Sequence, residues 1–324
     1  MKRILNLVAT VLLATASVHA PAADPAVVTL LVPYAPGGPS DVGARRIAPE
    51  LERELGLNVV VQNIAGATGA IALQKLLEAP PDGRTLVYGS QNELILVPAT
   101  NSAVRYRPDE FAPVALVVRT PLALVTHSGA PYLTAEELVT FLRADPRRHV
   151  NYGSPGVGSI QHLAAAALAS SARRLQWTHV PYKGVGPMLA DLLGQHIDVS
   201  VVTLTGGTLD HLKSGKLRSL GVLSPARSPL AEDLATINEQ SMFRQIDYSS
   251  WGGLFVSART PDGIQEKLNH AMQRVMADTY LRARIFANGG EPAAPMTLAQ
   301  LRTRYAVETA NYQRIAAERQ IRVD

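Results

Sequence analysis

The residue types able to do chemistry gather in four glycine-rich turns: YAPGGPSD at 34–41, NIAGATG at 63–69, GSPGVGS at 153–159 and YKGVG at 182–186. Each leads from an apolar run towards a helix-like stretch. Turns of this kind expose backbone N–H groups at the positive end of a helix dipole, where a carboxylate or a phosphate binds. Glycine lets a ligand approach the backbone, proline stiffens the turn, and Ser40, Thr68, Ser154 and Ser159 add hydroxyl donors. One such turn is an ordinary strand-to-helix connection; four in this order point to an anion site. Asp41 reads as a helix N-cap accepting from the first-turn backbone, the alternative being an acceptor for a ligand ammonium group.

Catalytic patterns are incomplete. Ser154 has Gly156 two residues after it but Tyr152 two before it, which is half of a G-x-S-x-G nucleophile elbow. There is no G-x-x-x-x-G-K-[ST] phosphate loop and no H-E-x-x-H zinc helix, and GVGSIQ at 156–161 fails the last position of G-x-G-x-x-G. The eight histidines do not pair with carboxylates at ligand spacing; His162 reads as a hydrogen-bonding residue at a helix start and His179 as a strand residue. The absence of cysteine removes thiolate catalysis and thiolate metal sites. The expectation is a non-enzyme with no metal and no cofactor.

Positioning these turns takes an α/β scaffold with mostly parallel strands. VVTLLVPY, NVVVQN, TLVYGS, LALVTH, WTHVPY, IDVSVVTL, LRSLGVLS and WGGLFVS read as strands, and longer amphipathic stretches alternate with them. Helical periodicity shows in Val42, Ile47, Leu51 and Leu55, with Pro49 a kink or an early end. VPYAPGG and VPYKGVG each follow an apolar run and precede a helix, so each half of the chain has an equivalent corner. Ligands of open α/β sheets bind at such corners, beyond the carboxyl ends of the strands.

A chain of 324 residues exceeds one compact domain, which argues for two. At 47% hydrophobic and 18% charged residues, with no block of one sign, disorder and coiled coil are excluded. Lys2 and Arg3 precede an apolar run at 4–18 and then small residues, so residues 1–22 read as a secretory signal peptide cleaved after Ala22. No later run is long and apolar enough to span a membrane. Loss of Lys2 and Arg3 takes the formal charge from +4 to +2. The pairs Arg45/Arg46, Arg147/Arg148 and Arg173/Arg174 read as solvated faces, and nothing forms a nucleic-acid stripe.

Seven motifs in order carry a resemblance: VPYAPGGPSD, NIAGATGAIA, PPDGRTLVYGS, YGSPGVGSIQHLA, HVPYKGVGPMLADLLGQHIDV, LKSGKLRSLGV and WGGLFV. Over nearly the whole mature chain the sequence resembles the periplasmic solute-binding proteins of the tripartite tricarboxylate transporter system, the Bug or TctC-like family. The resemblance implies a two-lobed Venus-flytrap fold, with residues 23–122 and 249–324 in one lobe and 123–248 in the other. It further implies a monomer that encloses a small carboxylate (an amino acid, a di- or tricarboxylate or an aromatic acid) and delivers it to membrane transporter subunits. Carried onto this chain, it points to Tyr34, Ala35, Gly37, Gly38, Ser40 and Asp41 in the first loop, and to Ser154, Gly156, Ser159 and His162 in a second. Asn63, Thr68, Ser90, Lys183 and Thr203 adjoin them at strand ends. Two departures fall where ligand is expected: Pro39 replaces the usual hydroxyl residue after the glycine pair, and residues 64–69 replace a Pro-Gly-Ala-Gly-Gly turn. A sensing receptor of the same fold and a hydrolase using Ser154 stand as alternative readings.

Overall fold

The computed structural model describes residues 27–145, 147–171, 177–182, 184–318 and 320–322, so the expected signal peptide and Lys183 lie outside the described residues. The first unit runs β1 (Val27–Val32), α1 (Pro39–Leu55), β2 (Asn58–Asn63), α2 (Ala70–Glu78) and β3 (Thr85–Gly89). Beyond β3 a π-helical turn, Asn92–Leu96, leads into α3 (Val97–Thr100). Next come β4 (Phe111–His127), α4 (Ala135–Arg143), β5 (Val150–Ser154), α5 (Ile160–Ser171), β6 (Trp177–Pro181), α6 (Val185–Leu193), β7 (Val199–Thr203), α7 (Gly206–Lys213) and β8 (Leu217–Val222). The chain closes with β9 (Ser249–Ser257), α8 (Asp262–Ala277), α9 (Thr279–Ala287), the short β10 (Glu291–Pro292) and α10 (Leu298–Glu318).

Strand order is β2-β1-β3-β9-β4-β7-β5-β6, with β8 and β10 also paired to β4. The pairs β1–β2, β1–β3, β5–β6 and β5–β7 are parallel, as strand-helix-strand repeats require, whereas β4 and β9 bring antiparallel pairings. β4 is common to two sheets: residues 111–121 pair with β9, and residues 122–127 pair with β7 and β8. The result is a two-lobed α/β architecture of mixed sheets flanked by helices. The strand expected at LALVTH therefore begins eleven residues earlier, at Phe111. Pro113 and Pro121 disguise it, since proline is tolerated in a strand beside a ladder irregularity such as the one at Pro113/Ala115.

Helix α1 starts on Pro39, whose missing N–H costs nothing at the first helical position, and ends on Gly56 in the left-handed conformation. Pro49 neither ends nor shortens it; the residue lies on the exposed face and the helix runs on to Leu55. Ala44, Ile47 and Leu51 point inward against Leu30 and Leu86, and each buried leucine contributes about 2 kcal/mol of apolar transfer. A larger core joins Leu94 and Ile95 of the π turn, Leu163 of α5, and Tyr305, Tyr312 and Ile315 of α10. The last helix thus packs where the two sheets meet, behind the turns of interest.

Candidate functional site

The turns converge on a cavity of about 510 Å³ between the sheets. Tyr34, Pro39 and Ser40 of the first loop, Thr68, Ser90 and Asn92 form one side. Residues 155–159, Gln161, Gly184 and Val185 form the other, and Val118, Thr120, Ser250 and Trp251 form the floor on β4 and β9. Among the described wall residues none is Lys, Arg or His. Instead, the N-termini of three helices reach the wall: α1 at Pro39 and Ser40, α5 at Ser159 and Gln161, and α6 at Gly184 and Val185. Their dipoles make the space positive without a formal charge.

Of the expected site residues, Tyr34, Ser40, Thr68, Ser90, Gly156 and Ser159 line this cavity. Ala35, Gly37, Gly38, Asp41, Asn63, Ser154, His162 and Thr203 stand behind the wall or beside it. Thr203 meets the wall through its hydroxyl, which accepts from Gln161 Nε2 at 3.3 Å. Thr68 is held at φ 52°, next to Ala67 at φ 46°. A β-branched residue in the left-handed region carries roughly 1–3 kcal/mol of strain, and the turn that imposes it sets Thr68 on the cavity wall.

Asp41 does not cap α1. Gly38 is the N-cap, Asp41 is the third helical residue, and its carboxylate reaches back to accept from the Gly37 N–H at 2.9 Å. It also accepts from Arg45 Nε at 2.9 Å and from Asn63 Nδ2 at 2.9 Å. Asn63 Nδ2 in turn donates to the Tyr34 carbonyl at 3.0 Å, so the network fastens the first loop to the end of β2. Hydrogen bonding from Arg45, then from the Gly37 backbone, pulls the Asp41 carboxyl down to about 2. With this carboxylate and the Gly37 N–H bonded to each other, both act as framework. Arg45 is solvent-exposed, as a solvated face requires, and pairs with Asp41.

The sequence reading missed Glu93. Its carboxylate is buried on the π turn and accepts from the hydroxyls of Tyr34 and Ser90, each at 2.7 Å, as well as from the Ser90 N–H. Burial pushes this carboxyl up, and burial with Glu93 alongside pushes the Tyr34 phenol up too. An acid directly after a strand-end glycine and Ser-Gln-Asn was the available signal. Trp251 is fixed similarly: its indole N–H donates to Glu308 of α10 at 2.6 Å.

Behind the second loop the rings of Tyr152, His179 and His162 stack, with centroids 4.9 and 3.8 Å apart. His162 Nδ1 accepts from the Gly158 N–H at 3.2 Å, and His179 Nε2 lies 2.7 Å from Ser154 Oγ. Burial pushes both imidazoles down to about 4, so they are neutral at pH 7. Ser154 is 0% exposed, its hydroxyl donates to the Gly156 carbonyl at 3.0 Å, and it is not part of the cavity wall. The pair lies behind the loop, outside the cavity wall.

Two lobes around a cavity ringed by helix N-termini define a solute-binding protein. A family model described as "Tripartite tricarboxylate transporter family receptor" matches residues 43–320, and the chain belongs to that family. It is 30% identical to protein BugT of Bordetella pertussis, over 90% of each chain. It is also 30% identical to a UPF0065 protein of Agrobacterium vitis, over 90% of this chain and 84% of that one. Among solved structures it is similar to a TctC solute binding protein from Polaromonas, with TM-score 0.77, 28% identity, and 90% and 98% of the two chains covered. MatC from Rhodopseudomonas palustris, solved with bound malate, gives TM-score 0.71 and 28% identity over 89% and 98%. A further Rhodopseudomonas palustris protein, solved with adipate, gives 0.75 and 27% over 91% and 98%.

Proposed function

We propose that this protein captures a small carboxylate in the cleft cavity and hands it to the membrane subunits of a tripartite tricarboxylate-type transporter. The observation that carries the reading is the convergence of the α1, α5 and α6 N-termini on a cavity whose described side chains are neutral donors, acceptors and apolar groups. Tyr34, Ser40, Thr68, Ser90, Gly156 and Ser159 contact the ligand in this reading, and Asp41, Asn63, Ser154 and His162 hold the loops that present them. The protein works as an exported, periplasmic monomer whose lobes, residues 23–122 with 249–324 and residues 123–248, close because the closed state makes additional ligand contacts. The malate and adipate of the related structures are consistent with a carboxylate.

Mass spectrometry of whatever co-purifies with the protein, followed by calorimetry of that compound, tests the reading. Thermal stabilisation should follow RT ln(1 + [L]/Kd). A screen of mono-, di- and tricarboxylates and amino acids that yields no stabilising compound sinks it.

A further inference from the structure

We propose that a second carboxylate-binding subsite lies beside the first, in a separate cavity of about 290 Å³, with Arg46 and Thr205 as its donors. The inference rests on the carboxylate reading of the main cavity. The two cavities adjoin, with Pro39, Tyr88, Val118 and Thr120 lining both.

Arg46 stands one turn beyond Val42 on α1 and is half-buried in this second cavity. Sequence alone made it a solvated charge beside Arg45. Arg45 has Asp41, but among the described residues Arg46 has no hydrogen-bond or ion-pair partner. Burial and the nearby Arg284 both act against its positive charge, and the buried Tyr88 phenol stays protonated and does not neutralise it. A guanidinium kept partly out of water with no acceptor is costly, and an anion removes that cost.

Thr205 lines the same cavity from the other sheet, two residues past the end of β7. It is the N-cap residue of α7, it lines the cavity, and its side chain makes no capping hydrogen bond. A carboxylate between the two would accept from the guanidinium and the hydroxyl while sitting at the positive end of α7. The main cavity offers helix ends but no described cation; this one adds the missing cation. The carboxylate is either the far end of a dicarboxylate held in the main cavity or a separate molecule.

Calorimetry of the mature protein with succinate, glutarate and adipate, and with butyrate, pentanoate and hexanoate, separates these sources. The wild type is compared with Arg46→Gln, Arg46→Lys and Thr205→Val, each first shown to melt as the wild type does. One dicarboxylate bound per chain, weakened about tenfold or more by Arg46→Gln and partly rescued by Arg46→Lys, with the monocarboxylates changed less than about threefold, assigns the subsite to the ligand's far end. Two monocarboxylates per chain, the second lost in Arg46→Gln, assigns it to a separate molecule. Variants that bind both series as the wild type does, or weaken both equally, overturn the subsite and leave the proposed function standing. A wild type that binds no carboxylate overturns both.

Discussion

The hydroxyl of Tyr34 donates to the carboxylate of Glu93 at 2.7 Å, tying two residues 59 positions apart. A wall residue of the cavity is thereby held by an acid that solvent does not reach. Glu93→Ala should strand the Tyr34 hydroxyl and the Ser90 N–H and hydroxyl, costing about 3 kcal/mol in urea unfolding at neutral pH. Glu93→Gln keeps one oxygen acceptor and should cost about 1 kcal/mol. Equal losses for the two variants would count against the hydrogen-bonding account.

The stacked imidazoles give stability a pH dependence. Their folded pKa values, about 4, lie below the ordinary 6.5, so the unfolded chain binds more protons between those values. Stability contributed by the neutral rings is intact above pH 6.5 and is lost as pH falls towards about 4. Asp41 acts with the same sign in a lower window, from 3.8 to about 2. Glu93, pushed up, acts with the opposite sign: its contribution falls as pH rises above the ordinary value of 4.5. A difference measurement isolates the histidine. Between pH 7 and pH 4.5, on the order of the histidine window, the urea midpoint of His162→Gln should drop less than that of the wild type. Parallel declines would refute the assignment.

Trp251 offers an optical report on the cavity. The chain has two tryptophans, and Trp177 packs instead against Tyr152 with ring centroids 5.6 Å apart. A ligand-dependent change in intrinsic fluorescence should vanish in Trp251→Phe and persist in Trp177→Phe. Glu308→Leu removes the acceptor of the Trp251 indole N–H and should weaken ligand roughly three- to tenfold, although Glu308 is outside the main cavity wall. Glu308→Gln should bind nearly as the wild type.

The WGGLFV motif has a steric basis in β9. A Cβ on Gly253 would collide with the Ala115 carbonyl oxygen of β4, so Gly253→Ala should cost about 2 kcal/mol by chemical unfolding. Gly263→Ala, in the first turn of α8 with nothing within 4 Å of a new Cβ, should be neutral or stabilise by about 0.5 kcal/mol. If Gly253→Ala is as mild as Gly263→Ala, close strand approach is not the reason for that glycine.

Glycine and proline punctuate a chain locally, which is why the turns carrying Ser40, Thr68, Gly156 and Ser159 are legible from residue order alone. Groups whose role depends on a distant partner are not. Glu93 acquires its meaning from Tyr34, and Arg46 from the cavity that it lines; Asp41 has the spacing of a cap in the sequence, but its partners are the Gly37 N–H, Arg45 and Asn63, the last 22 positions away. Helix α9 escapes a sequence reading because TYLRARIFA buries only Leu281 and Ile285, too few apolar positions to register as a period. The first half of β4 hides behind Pro113 and Pro121, residues that ordinarily argue against a strand.

β4 runs unbroken for 17 residues from the ladder with β9 into the ladder with β7 and β8. In mechanical terms it is a torsion bar gripped along its length, the grip passing from β9 to β7 between Pro121 and Leu122. Turning one sheet against the other would have to twist the strand at that handover, and Thr120, beside Pro121, is a wall of both cavities. The load path of such a turn would pass through the floor of the cleft, so a ligand filling the cleft would also stiffen that handover.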